Sequence, residues 1–284
     1  MNNISLHNST HLTTKNRIPK ILGLAANIAA LGLFFPCASS FAQAIDSIST
    51  ATPPSGNYVG IGAISVPKYQ GSDQYEIRAT PLLEYNFGNG IFIGGDNQSI
   101  VGYQFVESSK LKFGASLSVD SGRRKSHAVA LAGMGNIDVK PTAVAFVKAS
   151  LTDNILVNAS VHYGSGNNQD GALLKLGTSY VMAFGPSSIL SFNVGATLAN
   201  DSYMQDYFGV NAGQSRTSGY RIYTAKSGLR DSTGGVSFIH RLDSDWSLLA
   251  GINVTKLSNI AKDSPIVRTA NTQSVFLGLA YSIK

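Results

Sequence analysis

Residues 110–120 read Lys-Leu-Lys-Phe-Gly-Ala-Ser-Leu-Ser-Val-Asp, a strict alternation of apolar side chains with polar or small ones. Alternation with a period of two places one set of side chains on each face of a β-strand. The same pattern recurs in residues 155–163, 190–198 and 274–283. The chain is therefore predicted to consist of many strands that each have one apolar face.

These segments are about ten residues long, which is the length at which a tilted strand crosses a bilayer. Only 13% of the 284 residues are charged, about half of the usual share. A low charge content together with 29 Gly residues favours strands and turns in a setting where charge is costly, and it opposes a soluble cytosolic enzyme. No stretch beyond residue 44 is long and apolar enough to predict a membrane-spanning helix.

The first 44 residues have the layout of a secretory signal peptide. Three basic residues precede the apolar stretch 21–35, and the segment ends in Ala42-Gln43-Ala44, small residues typical of a cleavage site. A transmembrane anchor is the alternative, but 15 apolar residues fall short of the ~20 that span a bilayer. A lipoprotein site at Cys37 is disfavoured by the preceding Pro36. We expect 1–44 to be removed, 45–57 to form a short periplasmic segment, and 58–284 to form the membrane domain.

Short and long connections alternate along that domain. Tight turns are predicted at 88–90, 107–109, 152–154, 185–188 and 243–245, and longer connections at 67–75, 121–139, 164–171, 199–228 and 258–271. Outer-membrane barrels have short periplasmic turns and long outer loops, so the two kinds should alternate. The turn-rich segment 94–99 supplies the one connection that this rule still requires.

The prediction is thus an all-β transmembrane antiparallel barrel of about 12 strands, with both termini in the periplasm. Closure into a barrel removes the unpaired strand edges that cannot exist in lipid. The strands are predicted near 58–66, 76–87, 90–95, 99–106, 110–120, 140–151, 155–163, 172–184, 189–198, 229–242, 246–257 and 272–283.

Four aromatic residues agree with this orientation. Each lies on the apolar face of its strand, near the predicted periplasmic end, where an interfacial girdle belongs. They are Tyr85, Tyr180, Trp246 and Tyr281. The protein is accordingly expected in the outer membrane of a Gram-negative cell, in contact with outer-membrane lipid and lipopolysaccharide.

Several segments resemble, in chain order, the MipA/OmpV family of outer-membrane proteins, and the resemblance runs from about Tyr58 to Tyr281. The segments are Val59-Gly60-Ile61-Gly62, Tyr69-Gln70-Gly71-Ser72-Asp73, Pro81, Gly133-Met134-Gly135-Asn136-Ile137-Asp138, Tyr203 with Tyr207-Phe208-Gly209-Val210, Ser218-Gly219 with Tyr223, and Asp263-Ser264-Pro265-Ile266-Val267.

The resemblance implies a non-enzymatic protein of the cell envelope. The founding member of this family is viewed as a scaffold that joins a murein-degrading lytic transglycosylase to a bifunctional penicillin-binding protein, both enzymes of peptidoglycan metabolism. A scaffold role with these two partners is therefore the expectation. The alternatives are a surface adhesin, a small-solute channel and, least favoured, an outer-membrane lipid hydrolase.

Strand parity places a sparse set of charged and polar side chains in the lumen. Buried charges need partners, so we expect opposed charges to form a paired network that plugs the barrel; a narrow aqueous path between them is the alternative. The predicted network consists of Arg78, Glu84, Lys112, Lys148, His162 and Lys175, with Asp120 on the same face.

The connection 199–228 is rich in aromatic residues, which are enriched at protein interfaces. The candidate anchors are Tyr203, Tyr207, Phe208, Tyr220 and Tyr223. The alternative is that this loop folds back into the barrel mouth and plugs it.

Other chemistry has weak support. Ser160 and His162 share one face of a strand, but they point away from lipid and nothing local supplies the third group of a triad.

The scattered His and acidic residues match no metal-ligand spacing, no cofactor motif is present, and no nucleic-acid partner is expected. The basic run 123–125 is expected to contact lipopolysaccharide phosphates or to remain solvated.

Overall fold

The computed structural model describes residues 56–95 and 99–284, in which twelve antiparallel strands form a closed barrel. Each strand pairs with its neighbours in sequence, and β1 closes the barrel on β12, where Ile61 lies opposite Leu279. This confirms the predicted fold class. The predicted signal peptide with its cleavage residues Ala42 and Ala44, and most of the 45–57 segment, lie outside the described residues.

The observed strand bounds agree with the predicted ones to within two residues, including the pair that the turn-rich segment 94–99 was expected to separate. The strands are β1 Asn57–Pro67, β2 Tyr75–Asn86, β3 Ile91–Gly94, β4 Val101–Glu107, β5 Leu111–Asp120, β6 Lys140–Ser150, β7 Ile155–Ser165, β8 Gly171–Ala183, β9 Ser188–Ala199, β10 Gly228–Arg241, β11 Trp246–Leu257 and β12 Asn271–Ile283.

The outer surface of the barrel is apolar, as a lipid-facing wall must be. Ile61 is 66% exposed, Ile77 is 79% exposed and Val194 is 63% exposed, values that no side chain of a soluble core would show. Five short turns connect the strands at the end that we take as periplasmic, and the longer loops lie at the opposite, outer end.

The four predicted girdle residues lie on this surface near the periplasmic end. Tyr180, Trp246 and Tyr281 are each at least 40% exposed, and Tyr85 is partly exposed. Trp246 and Tyr281 are cross-strand neighbours whose ring centroids lie 5.2 Å apart.

The lumen has two different walls. Small polar side chains of β5 to β9 form one of them, among them Ser118, Ser160 and Asn193. The opposite wall carries a buried apolar cluster contributed by β1, β10, β11 and β12: Tyr58, Ile64, Val66, Ile239, Leu249, Phe276 and Ala280. The sequence pattern predicted only the polar wall. In a barrel of this size the side chains can fill the interior, so apolar residues on the inward face are buried by packing on one another.

Inward-facing phenylalanine rings pack against glycines of neighbouring strands. A Cβ atom on Gly62 would lie 2.5 Å from the Phe276 ring, and one on Gly102 would lie 2.3 Å from the Phe92 ring. These positions need glycine because the ring occupies the space of the side chain. Each ring therefore covers part of the wall and narrows the lumen.

Three α-helices lie in the described outer loops: α1 Asp201–Phe208 and α2 Ala212–Ser218 in the connection 200–227, and α3 Asn259–Lys262 in the connection 258–270. Asn200 caps α1 by accepting a hydrogen bond from the backbone N–H of Tyr203, and Asn211 forms a capping box with Gln214 at α2. Within the described parts of the chain, no helix is both long and apolar enough to cross a membrane.

Candidate functional site

Helix α1 closes the outer mouth of the barrel. Tyr203, Met204, Tyr207 and Phe208 are buried in a cluster with residues of β8, β11 and the neighbouring loops. The three aromatic rings of α1 were candidate anchors for a partner, and this expectation is wrong for them, because rings at 3% exposure or less have no surface to offer. These buried rings agree with the alternative, in which the connection 199–228 folds back into the barrel mouth and plugs it.

Arg123 binds the backbone of the last turn of α1. Its Nη1 donates to the carbonyl oxygen of Tyr207 at 2.6 Å, and its Nη2 donates to that of Asp206 at 3.4 Å. The side chain is buried, and this burial lowers the pKa of Arg123. The expectation that the whole basic run 123–125 is solvated or contacts lipopolysaccharide is therefore wrong for Arg123, whereas Arg124 and Lys125 are exposed.

Tyr207 fastens α1 to the barrel wall. Its hydroxyl donates to Asp120 Oδ1 at 2.6 Å, and the same carboxylate accepts the backbone N–H groups of Gly122 and Gly166 at 3.0 and 3.1 Å. Burial, and then the charge of Asp120, raise the pKa of Tyr207. The phenol thus remains a donor, and the carboxylate at the end of β5 is well satisfied.

Tyr203 stacks on Tyr207, with ring centroids 4.4 Å apart. Its hydroxyl accepts hydrogen bonds from Gln70 Nε2 at 3.1 Å and Arg230 Nη1 at 3.0 Å. Arg230 also forms an ion pair with Asp231. Burial raises the pKa of Tyr203 to about 12, so this hydroxyl keeps its proton.

The remaining outer loops are joined by tyrosine hydroxyls that donate to distant carbonyl groups. Tyr69 donates to Ile266 at 2.8 Å, Tyr220 to Ala130 at 3.1 Å and Tyr223 to Ile260 at 2.6 Å. Tyr220 and Tyr223 are half-buried, and their hydroxyls are engaged within these loops. Most segments that carry the family resemblance, from Tyr69 to the 263–267 loop, thus meet in this lid, which we define as the loops 68–74, 121–139, 200–227 and 258–270.

A cavity of about 180 Å³ lies beneath the lid, inside the barrel. Its wall combines polar and apolar side chains and contains groups of both charges. The polar and charged side chains of its lining include Gln70, Arg78, Asp120, His162, Lys175, Asn193, Tyr203, Arg230 and Asp231.

The predicted lumen network is divided between this cavity and the periplasmic half. Arg78, His162 and Lys175 line the cavity, whereas Glu84, Lys112 and Lys148 lie outside it.

Two ion pairs of this set are local. Arg78 pairs with Glu76 of the same strand, and Lys112 pairs with Glu107 of the adjacent strand at 2.9 Å. Lys148 lies over the ring of Phe146, 5.9 Å from its centroid.

Ser160 and His162 are close enough to interact, with Oγ and Nε2 3.2 Å apart. Both are buried in the cavity wall, on the side of the strand away from lipid. An enzyme that cleaves membrane lipid would need these groups on the opposite face. Across residues 56–95 and 99–284, no group of three or more His, Cys, Asp or Glu side chains is placed to hold a metal ion.

Sequence reasoning missed Gln70, Arg230 and Asp231. The register of β10 against β9 shifts between Leu229 and Asp231, and a bulge of this kind changes which residues face inward. Simple parity therefore fails at this end of β10. Gln70 lies in a loop, where no periodic signal exists.

Residues 59–283 match the family model described as "MltA-interacting protein MipA". No curated protein sequence matches the chain. Among solved structures, the chain is similar to the KdgM porin, with 13% identity over 80% of this chain and 99% of that one and a TM-score of 0.41. It is also similar to the NanC porin, with 8% identity over 80% of this chain and 100% of that one and a TM-score of 0.45. A third similar structure is the COG4313 outer membrane channel from Pseudomonas putida F1, with 13% identity over 81% of this chain and 96% of that one and a TM-score of 0.42.

Proposed function

Because the chain belongs to the MltA-interacting protein MipA family, we propose that it is a non-enzymatic scaffold of the outer membrane. In this role it binds a lytic transglycosylase and a bifunctional penicillin-binding protein and brings murein degradation and synthesis together. The match over residues 59–283, most of the barrel, is the observation that carries the proposal.

The packing of the barrel supports a binding role over a transport role. The lid is held by buried hydrogen bonds such as that from Arg123 to Tyr207, and the lumen below is narrowed by the cluster around Phe276. A channel needs a continuous aqueous path, and both features work against one. We therefore expect the folded barrel to conduct ions poorly.

The scaffold surface is at the periplasmic end, because murein enzymes work there. A stable interface needs about 800 Å² on each partner, and no single tight turn offers that area. We infer that several turns act together with the adjacent wall. Their exposed tips are polar, as in Thr152-Asp153-Asn154 and Asp243-Ser244.

The proposal is tested by affinity capture with the tagged, refolded barrel and a cell-envelope extract, with an unrelated outer-membrane barrel as the control. The informative variant replaces 152–154 and 243–245 with Gly-Ser turns of equal length. Its matched control replaces the exposed outer residues Arg124 and Lys125 with Ser.

The expected result is that the parent and the outer-loop variant retain a lytic transglycosylase or a penicillin-binding protein, whereas the turn variant does not. Folding of each variant is checked by heat-modifiable mobility on gels. A folded parent barrel that retains neither enzyme overturns the scaffold role.

An adhesin remains the second candidate only through its exposed outer groups, since the aromatic rings of α1 are buried. Shortening the exposed helix α2 while keeping α1 separates the two roles. Loss of cell-surface binding with unchanged capture of murein enzymes would favour the adhesin for that loop.

A further inference from the structure

Three oxygen acceptors in the cavity wall have no donor. Gln70 Oε1, Asn193 Oδ1 and Asp231 Oδ1 are buried and receive no hydrogen bond from any described residue. All three residues line the cavity beneath the lid. Buried polar atoms are nearly always hydrogen-bonded in native proteins, so the wall is suited to a guest that brings donors.

The same wall also offers donors. The hydroxyl of Tyr203 accepts from Gln70 and from Arg230, which leaves its own proton to be donated. Lys175 and Arg78 add cationic groups to the lining of the cavity. A guest that fits this cavity must therefore both donate and accept hydrogen bonds.

These groups disfavour three classes of guest. Cations are disfavoured because the lining carries three cationic side chains, Arg78, Lys175 and Arg230, against the two carboxylates of Asp120 and Asp231. Anions without hydrogen, such as chloride or sulfate, have none to give to the unpaired oxygens, and an apolar solute leaves all of those oxygens without a partner. Hydroxyl groups meet both requirements, because each donates one hydrogen bond and accepts others.

The size and shape of the cavity limit the guest further. Its 180 Å³ is less than the roughly 300–1,000 Å³ of sites for drug-sized ligands. Asp231 pairs with Thr197, four residues along β9 from Asn193, which places the two acceptor residues roughly 13 Å apart at about 3.3 Å per residue. We propose that this cavity binds a small neutral carbohydrate, of one or two sugar rings, beneath the lid. The proposal goes beyond the scaffold role and needs no protein partner.

The test uses the full mature barrel, refolded in a zwitterionic detergent so that no sugar head group competes. D-glucose and sucrose are the probes, and cyclohexanol is the control solute of similar ring size with a single hydroxyl. Saturation-transfer NMR and calorimetry measure binding. We expect saturable binding of at least one sugar at millimolar concentration and none of cyclohexanol.

The variant Asn193→Ala removes one unpaired acceptor and also the hydrogen bond from Asn193 Nδ2 to Ser237 Oγ, which is 3.2 Å long. Ser237→Ala removes that same hydrogen bond but leaves the acceptor in place, so it is the matched control. We expect Asn193→Ala to weaken sugar binding about three- to tenfold, and Ser237→Ala to change it by less than twofold.

If Asn193→Ala does not fold, Gln70→Ala provides the second test, because Gln70 lies in a loop and not in a strand. Three results would overturn the proposal: no saturable binding of either sugar by the folded barrel, which would mean that the cavity holds water only; equal binding of cyclohexanol; or equal weakening by Asn193→Ala and Ser237→Ala.

Discussion

The two ends of the barrel are held together by different kinds of hydrogen bond. In the periplasmic turns the partners are close in sequence: Asp243 Oδ1 accepts the backbone N–H groups of Asp245 and Trp246 at 2.8 and 2.7 Å, and Ser108 Oγ accepts that of Leu111 at 2.9 Å. In the lid the partners are far apart, and Tyr69 and Ile266 are separated by 197 residues.

This difference between the turns and the lid indicates which parts of the barrel can open. A hydrogen bond within one turn forms whenever its few residues adopt the turn, so it needs no other turn to be in place. A lid bond exists only when separate loops are already in place, because it joins distant segments. The lid should therefore open as one unit while the strands and turns remain intact.

The largest effect is expected from Arg123→Ala. The substitution leaves the carbonyl groups of Tyr207 and Asp206 without their buried cationic donor, a loss of about 3 kcal/mol for lid closure. We expect proteolysis within 200–227 and a rise in conductance across planar bilayers, with the strands still folded. Arg124→Ala, which changes the exposed neighbour, is the control. Equal protease resistance of both variants would contradict the role given to Arg123.

Tyr207→Phe should have a smaller effect on the same lid. It removes the hydrogen bond to the Asp120 carboxylate, which is worth about 2 kcal/mol when the acceptor is charged, but it keeps the stacked ring. Faster amide exchange in α1 is the expected result. Tyr163→Phe changes a lipid-facing tyrosine that is 55% exposed and should leave the exchange of α1 unchanged; a shift of similar size in both variants would mean that the bond does not hold the lid.

Alkaline pH should loosen the lid before it affects the turns. The pKa of Tyr203 is raised to about 12 from an ordinary value of 10.0, so the closed lid binds the phenol proton more tightly than the open one. The contribution to closure is complete below pH 10.0 and decreases as the pH rises toward about 12. Tyrosinate absorbance recorded beside protease sensitivity measures this. Lid opening with no change in tyrosine ionisation would contradict it.

The smallest effect is expected from Asp243→Ala. Two backbone N–H groups lower the pKa of Asp243, so its contribution is present above the ordinary pKa and is lost as the pH falls through the lowered value. We expect a slight decrease in the urea midpoint at neutral pH and no change in lid proteolysis. Asp153→Ala, at the tip of another turn, is the control. An effect on the lid would show that the two ends are coupled.

The same contrast explains how much the sequence could predict. Strand bounds followed from local alternation and turn residues, and even the short β3 was located by the turn signals after it. The burial of Arg123 could not be predicted, since its partners on α1 lie more than 80 residues away in the chain. The inward position of Phe276 was missed because a single apolar residue on a polar face gives no periodic signal.

The wall of the barrel is uneven in height. β3 has 4 residues and β10 has 14, which correspond to roughly 13 and 46 Å at about 3.3 Å per residue. Acyl chains beside β3 meet a wall shorter than the apolar band of about 25 Å that outer-membrane barrels present. Hydrophobic mismatch on one side thins the bilayer there or tilts the protein toward it. The membrane around the barrel is therefore expected to differ between the side of β3 and the side of β10, and neighbouring lipids and proteins will not be distributed evenly around it.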